Sequence, residues 1–136
     1  MYISTKGRYA LRVLVDLADN KGDRLVPLSE IAHRQEISLK YLERIMPVLT
    51  KAGYVNGTSG KNGGYCLAKK PDQLFVGEIL RITEGTLAPV ACLACEENVC
   101  SRKDSCKTVN LWASLEYKVN TYLDSVSVAD VAAGKF

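Results

Sequence analysis

The sequence predicts a mostly α-helical protein with one small β-hairpin: a winged helix-turn-helix followed by a long C-terminal helix. Three observations predict this fold class. Apolar side chains recur at helical spacing in the first part of the chain, and a glycine-rich turn separates two short β-prone runs in the middle. A long apolar stripe with helical spacing follows near the C-terminus.

Three helices are predicted before the hairpin. The first covers residues 5–19, where apolar side chains recur near the helical period. The second begins directly after Pro27, because proline is favoured at a helix start. The third begins after Ser38, a good N-cap, and ends at Gly53. Pro47 lies inside the third helix, where its missing N–H predicts a kink.

A β-hairpin is predicted directly after the third helix. Two β-prone runs, 54–59 and 65–68, flank the glycine-rich turn 60–64, which carries one lysine. A hairpin in this position is the wing of a winged helix, and glycines let such a turn approach a phosphate backbone closely.

The second half of the chain is predicted to hold a short helix over 76–84, a long helix from Thr108, and a last short helix over 128–133 capped by Ser127. The apolar stripe of the long helix consists of Leu111, Leu115, Val119, Tyr122 and Val126, and is widened by Trp112 and Leu123. The stripe is too long and wide for one chain of this size to cover easily, which favours a homodimer seam over a purely intrachain core.

These elements predict three segments. Residues 1–84 form the winged helix-turn-helix domain, 85–107 a cysteine-rich loop, and 108–136 the dimerisation helix with the short C-terminal helix. The cysteine-rich loop has no apolar period and is long for a plain connection, which points to a functional role.

Charge is distributed unevenly along the chain. Residues 1–70 carry 12 Lys and Arg against 6 Asp and Glu, whereas residues 71–136 carry 6 against 9. The basic first half is therefore a candidate for binding a polyanion, and the acidic second half is not.

The N-terminal sequence lacks the apolar run of a signal peptide, and no stretch approaches 18 consecutive apolar residues. We therefore expect a cytoplasmic protein without membrane association. Thiols stay reduced in that compartment, so clustered cysteines are expected to be metal ligands or redox sensors rather than structural disulfides.

Four of the five cysteines fall within one short segment, at Cys92, Cys95, Cys100 and Cys106. Four sulfur donors on a loop suit an iron–sulfur cluster, either 2Fe–2S or 4Fe–4S. Zinc is an alternative, because the C-x-x-C spacing of the first pair also occurs in zinc sites, and so is a metal-free redox loop. The fifth, Cys66, is predicted to be a small buried residue of the wing.

Several motifs together resemble one family. They are S-T-K-G-R-Y-A at 4–10, L-S-E-I-A and I-S-L-K-Y-L-E within 28–43, G-K-N-G-G-Y at 60–65, and spaced cysteines before L-W at 111–112. This ordered set resembles the IscR/NsrR/CymR-type regulators of the Rrf-two family over nearly the whole chain. The resemblance implies a homodimeric winged-helix transcription regulator that binds a double-stranded DNA operator, and in several members three loop cysteines hold an iron–sulfur cluster.

The resemblance also implies a set of site residues. Its DNA-contacting positions are Ser38, Lys40, Tyr41, Glu43 and Arg44 at the start of the recognition helix, Gly60, Lys61, Asn62 and Gly63 in the wing, and Lys6 and Arg8 beside the first helix. Its cluster ligands are Cys92, Cys100 and Cys106.

This chain departs from the family pattern at the fourth ligand. Val109 stands where IscR-type members have a histidine, and Arg8 stands where some relatives supply an acidic ligand from the partner subunit. The first cysteine interval is also longer, at seven residues. Cys95 is the nearest spare sulfur and is predicted to be the substitute ligand.

The resulting interpretation is a homodimeric repressor-type transcription regulator whose loop binds an iron–sulfur cluster that senses iron–sulfur or redox status. Protein isolated in air is expected to lack the cluster. One alternative is a metal-free repressor of the CymR kind, controlled by a metabolic enzyme as protein partner. Another is an iron–sulfur or protein-interaction module that does not bind DNA. No G-x-S-x-G, P-loop or cysteine–histidine arrangement stands out, so the chain is not expected to be an enzyme.

Overall fold

Helices dominate the computed structural model, which describes residues 2–20, 22, 24–95, 97 and 100–136. The α-helices are α1 (Thr5–Asp19), α2 (Leu28–Gln35), α3 (Leu39–Lys51), α4 (Val76–Glu84), α5 (Val109–Ser125) and α6 (Val128–Ala132). Strands β1 (Val55–Thr58) and β2 (Gly64–Leu67) form one antiparallel hairpin, and Pro71–Gln73 and Ala91–Leu93 are single 3-10 turns. The predicted fold class, mostly α with a small hairpin, is confirmed.

Side-chain caps set where the first and third helices begin. The Ser4 hydroxyl accepts a hydrogen bond from the Gly7 N–H at 3.3 Å, and the Ser38 hydroxyl accepts one from the Tyr41 N–H at 3.1 Å. Helix α3 runs as one element through the exposed Pro47, where the predicted kink stays a prediction. It ends where Gly53 adopts a left-handed φ of 79° and its N–H bonds the Thr50 carbonyl at 3.0 Å.

The main core lies where α1, α2 and α3 meet. Leu14, Ile31, Leu42 and Leu49 are fully buried there, and each such side chain contributes roughly 1.5–3 kcal/mol relative to exposure. Burial of one face from each helix leaves the polar start of α3 on the surface.

The wing is anchored to the helical core by one residue of the preceding loop. Val26 and Tyr65 exchange both backbone hydrogen bonds, at 2.9 and 2.8 Å, so the chain before α2 pairs with β2. At the far end, Gly60 at φ 95° and Asn62 at φ 66° turn the chain, and the Gly63 N–H closes the turn on the Gly60 carbonyl at 2.9 Å.

The C-terminus folds back onto α4. The Val76 N–H donates to the Val126 carbonyl at 2.9 Å, and the Val128 N–H donates to the Leu74 carbonyl at 2.8 Å. Val126 is thus the C-cap of α5 and is buried, together with Val76, in a second apolar cluster. Its predicted place on the outer stripe was wrong, because the helix ends one residue earlier and the chain turns inward there. Leu123 also packs against this cluster.

Helix α5 lies on α4 but buries none of its own residues, all of which the structure describes. Polar contacts join the two helices: Arg81 donates to Asp124 at 2.7 Å and to Asn120 at 3.3 Å. On α5, Leu111, Leu115 and Tyr122 are 59%, 39% and 56% exposed. Their spacing places them on one side of the helix, and no described residue covers that side fully.

No helix in the described part of the chain combines the length and apolar character needed to span a membrane.

Candidate nucleic-acid interface and cysteine segment

The first half of α3 presents a polar surface. Lys40, Glu43 and Arg44 are exposed, whereas Leu42 and Ile45 on the opposite side are buried in the core. This division follows from the helical period, which places the buried residues on one face of α3 and the exposed residues on the opposite face. The exposed residues thus lie on a helix whose opposite face is packed in the core.

Three of the predicted DNA-contacting residues meet at one place on the surface. Lys6 from α1, with Tyr41 and Arg44 from α3, lines a small depression of about 130 Å³ whose floor includes Ile45. The Arg44 guanidinium carbon lies 6.0 Å from the centre of the Tyr41 ring, within the range of a cation–π contact. Two cationic residues and one aromatic residue therefore line the same depression.

Two residues that the sequence analysis missed hold this surface in place. The Tyr9 ring meets Tyr41 edge to face with the ring centres 5.4 Å apart, and the Arg12 guanidinium carbon lies 5.2 Å from the Tyr9 ring centre. Arg12 also donates to the Gln35 side-chain oxygen at 3.2 Å and to the Gln35 carbonyl. The i, i+3 spacing of Tyr9 and Arg12 was the available signal that they share one side of α1.

Other predicted contacts lie apart from this depression. Arg8 is exposed and donates to the Thr5 hydroxyl at 3.1 Å. Lys61 and Asn62 are exposed at the tip of the hairpin, where the turn presents them to solvent. The residues predicted to contact DNA thus lie on α1, α3 and the wing, and only Lys6, Tyr41 and Arg44 share the depression.

A buried ion pair fixes α2 against α1. Asp16 is 2% exposed and accepts two hydrogen bonds from Arg34, at 3.0 and 2.8 Å, and one from the Gln35 amide at 2.9 Å. The bonds to Asp16 raise the pKa of Arg34 above its ordinary range. Glu30 bridges Arg34 to Arg24, and the bonds from these two cations lower the pKa of Glu30. The network joins α1 to α2 and to the loop that precedes α2.

The four clustered cysteines lie between α4 and α5 with different exposures. Cys92 is half-buried on the 3-10 turn Ala91–Leu93, Cys95 and Cys100 are exposed, and Cys106 is half-buried just before α5. The Cys106 sulfur is 3.3 Å from the Thr108 hydroxyl oxygen. This hydrogen bond, with those from the backbone N–H groups at the helix start, lowers the pKa of the Cys106 thiol.

The donor chemistry of this segment fits a soft metal centre, because four thiols lie within 15 residues on an open loop. Within the described ranges, however, no three His, Cys, Asp or Glu side chains are grouped closely enough to hold a metal ion. Residues 96, 98 and 99, between the second and third cysteines, lie outside the described residues. The ligand set therefore stays a prediction. Cys66 is half-buried on β2, rather than fully buried as expected.

A helix-turn-helix with a basic, exposed α3 surface and an adjoining hairpin defines a winged-helix protein of the DNA-binding class. Comparison with known proteins agrees with this. Residues 3–134 match the family model described as "Rrf2: Iron-dependent Transcriptional regulator".

Individual relatives cover almost the whole chain. Protein rrf2 of Nitratidesulfovibrio vulgaris is 39% identical over 132 residues, covering 96% of this chain and 87% of that protein. The structure of CymR from B. subtilis superimposes with a TM-score of 0.79 at 34% identity, covering 98% of this chain and 97% of that one. T. potens IscR gives a TM-score of 0.75 at 33% identity, covering 100% and 89%.

The chain belongs to the Rrf2 family of transcriptional regulators. The family recognised from the sequence motifs is thereby confirmed, as is the winged-helix fold. Its relatives are named as transcriptional regulators, which also confirms the expectation that the chain is not an enzyme.

Proposed function

We propose that this chain is a homodimeric transcription regulator that binds double-stranded operator DNA through the start of α3 and the wing. The observation that carries the proposal is the meeting of Lys6, Tyr41 and Arg44 around one exposed depression. Phosphates and guanine edges both favour such cations, so a DNA backbone and groove edge suit this surface.

Each side chain has a role that follows from its position. Lys40 and Arg44, one turn apart on α3, would enter the major groove, where Arg44 is suited to a guanine edge. Lys6 and Arg8 would contact phosphate beside the groove, and Lys61 would do so from the wing. Glu43 would accept from a cytosine amino group or exclude other sequences by repulsion.

The test is selection of bound fragments from genomic DNA, followed by titration of the selected operator at several salt concentrations. A dimer that neutralises roughly six to ten phosphates should lose about 10³–10⁵-fold in affinity between about 50 and 200 mM salt. Arg44→Ala should cost about 1–3 kcal/mol and relax base preference at one position. Lys61→Ala should weaken all sequences alike and make the salt slope shallower.

Lys135→Ala serves as the matched control for removing one positive charge, because Lys135 pairs with Asp130 in the C-terminal segment. Its operator affinity should equal that of the wild type. Unchanged affinity in both Arg44→Ala and Lys61→Ala would contradict docking by helix and wing.

Homodimerisation is proposed on the basis of α5. Its outward Leu111, Leu115 and Tyr122 stay exposed in the single chain, although exposed side chains of this kind favour burial. A second copy presenting the same stripe would cover them around a two-fold axis. Two DNA-binding units would then face two half-sites of a palindromic operator.

The cysteine segment is proposed to hold an iron–sulfur cluster through Cys92, Cys100 and Cys106, with Cys95 as the fourth ligand. When bound, such a cluster supplies a centre sensitive to redox state and oxygen. The segment joins α4 to α5, and Leu87 at its start packs against Val76 and Leu80 of α4. Ordering the segment would therefore restrain both helices. DNA affinity would change to the extent that the bound cluster stabilises one conformation of the protein, either the DNA-binding one or the other, more than its alternative.

Anaerobically reconstituted protein should contain iron and acid-labile sulfide, with visible absorption. Cys92→Ser, Cys100→Ser and Cys106→Ser should each abolish cluster retention, because each loss opens an iron site. Cys95→Ser should reduce retention by less. Cys66→Ser is the matched control, since Cys66 lies on β2 outside the segment, and it should retain wild-type iron content.

Two other results would replace the proposed cluster, and a third would change only its ligand set. Stoichiometric zinc without iron would assign the segment to zinc. A wild-type protein without bound metal that still binds its operator would favour the metal-free regulator controlled by a metabolic enzyme. Full cluster occupancy in Cys95→Ser would exclude Cys95 as the fourth ligand.

A further inference from the structure

A cleft of about 440 Å³ lies at the base of the wing, away from the tip of the hairpin. One wall comes from Leu17 at the end of α1 with Asn20, Gly22, Arg24 and Val26; the other comes from β2 and the residues that follow it toward Pro71. This volume is within the range of small-molecule binding sites. The half-buried Cys66 is one of the lining residues.

The lining combines buried or half-buried apolar residues with exposed cationic ones. Leu17, Val26 and Leu67 supply apolar surface, while Arg24, Lys69 and Lys70 supply three positive charges. Among the described lining residues there is no carboxylate. This combination suits an organic anion with a short apolar body, and does not suit a cation or a fully apolar ligand.

The three cations differ in how strongly they are already engaged. The Arg24 guanidinium is 3.0 Å from Glu30, with a side chain that is 62% exposed, so part of its hydrogen-bonding capacity faces solvent. The Lys69 ammonium lies 5.8 Å from the Tyr54 ring centre. The Lys70 ammonium forms no ion pair with another described residue. Lys70 is therefore the most available anchor for a carboxylate.

We propose that this cleft binds a small organic carboxylate, and that its occupancy is coupled to DNA binding through the wing. The second part rests on the proposed function, whereas the first part does not. Lys69 and Lys70 would bind the carboxylate, and Arg24 would add a third positive charge beside it. Leu17 and Leu67 would contact the carbon chain.

The coupling between ligand binding and DNA binding follows from the position of the cleft beside the backbone pairing that anchors the wing. Val26 and Tyr65, whose backbones exchange two hydrogen bonds, both line it. A ligand that contacts Arg24 on one side of this pairing and Lys70 on the other joins the base of the wing to the helical core. The wing carries Lys61 at its tip, so restraint at its base changes how the tip meets a phosphate backbone.

The test uses Cys66 as a reporter of occupancy. The full-length protein is alkylated with N-ethylmaleimide, and the rate is read by mass spectrometry on the peptide that contains Cys66. Succinate, glutamate and citrate are the probes, and succinamide is the uncharged counterpart of succinate. A carboxylate at ten times its dissociation constant should slow alkylation about tenfold, because protection scales as 1 + [L]/Kd. Alkylation of Cys95, outside the cleft, should not change.

A double variant, Lys69→Gln with Lys70→Gln, should lose the protection while keeping wild-type unfolding behaviour, since both side chains are exposed. Protection by a carboxylate but not by succinamide, together with its loss in the double variant, supports the site. No protection by any of the three carboxylates would overturn it. Equal protection by inorganic phosphate would overturn the organic class, and protection by operator DNA alone would assign the lysines to the DNA backbone.

Coupling is measured separately, as operator affinity with and without the protecting carboxylate. A change in affinity that disappears in the double variant supports it. Protection of Cys66 without any change in affinity would overturn the coupling and leave the site standing. Absence of operator binding under every condition would instead count against the proposed function.

Discussion

Leu115→Asp is expected to convert the proposed homodimer to a monomer in sedimentation velocity, and to lower operator affinity by several orders of magnitude. Leu115 lies in the middle of the outward stripe of α5, between Leu111 and Tyr122. A carboxylate there would be buried without a partner in a dimer seam, and burial of an unpaired charge costs several kcal/mol. The symmetry of the seam places this cost twice in each dimer.

Loss of the dimer reduces DNA affinity because a monomer contacts only one half-site. The two half-sites of an operator are bound together only when one seam joins two recognition helices. Folding of the single chain should be unaffected, because no residue of α5 is buried within it. Circular dichroism and urea unfolding at low concentration should therefore match the wild type after correction for dimerisation.

Ala113→Asp is the matched control on the same helix. Ala113 is exposed and lies on the opposite side from Leu115, because two residues span about 200° of a helix. This variant adds the same charge and should stay dimeric. If Leu115→Asp formed dimers as stable as the wild type, the dimer interface would have to lie on another surface.

Arg34→Met is expected to destabilise the fold by about 3–5 kcal/mol in urea unfolding. The substitution removes the guanidinium from Asp16, which is 2% exposed. Among the described residues, the Asp16 carboxylate would then keep only the Gln35 amide as a hydrogen-bond partner. Removing one member of a buried pair leaves an uncompensated charge, and costs of this size are typical. Operator affinity should fall as well, since α2 loses its fixed position against α1.

The double variant Asp16→Leu with Arg34→Met removes both charges and should recover most of the lost stability, because apolar residues of similar volume often replace a buried ion pair at little cost. Arg24→Met is the control for a surface pair, since Arg24 bonds only Glu30 among the ion pairs of the described residues and is 62% exposed. It should change stability by no more than about 1 kcal/mol. Wild-type stability in Arg34→Met would show that water or Gln35 satisfies Asp16.

Local signals account for most of what could be predicted about the fold. The hydroxyl of Ser38 caps α3 as expected, and Gly53 ends it, because both effects depend only on residues within one turn. The hairpin was likewise predictable, since the residues that turn the chain, Gly60 and Asn62, lie next to the strands they connect. The basic surface of α3 followed from its helical period.

The sequence by itself therefore determined the elements, their order and the family, all of which depend on patterns within short segments or on ordered motifs. Tertiary structure decided which side chains meet. The contact of Tyr9 with Tyr41 and the pairing of Asp16 with Arg34 join separate helices, and the inward turn at Val126 depends on the packing of α4. These three features have the same physical cause: each forms only when segments far apart in the sequence pack together and exclude water between them. The spacing of residues along one helix does not specify which segment will pack against it.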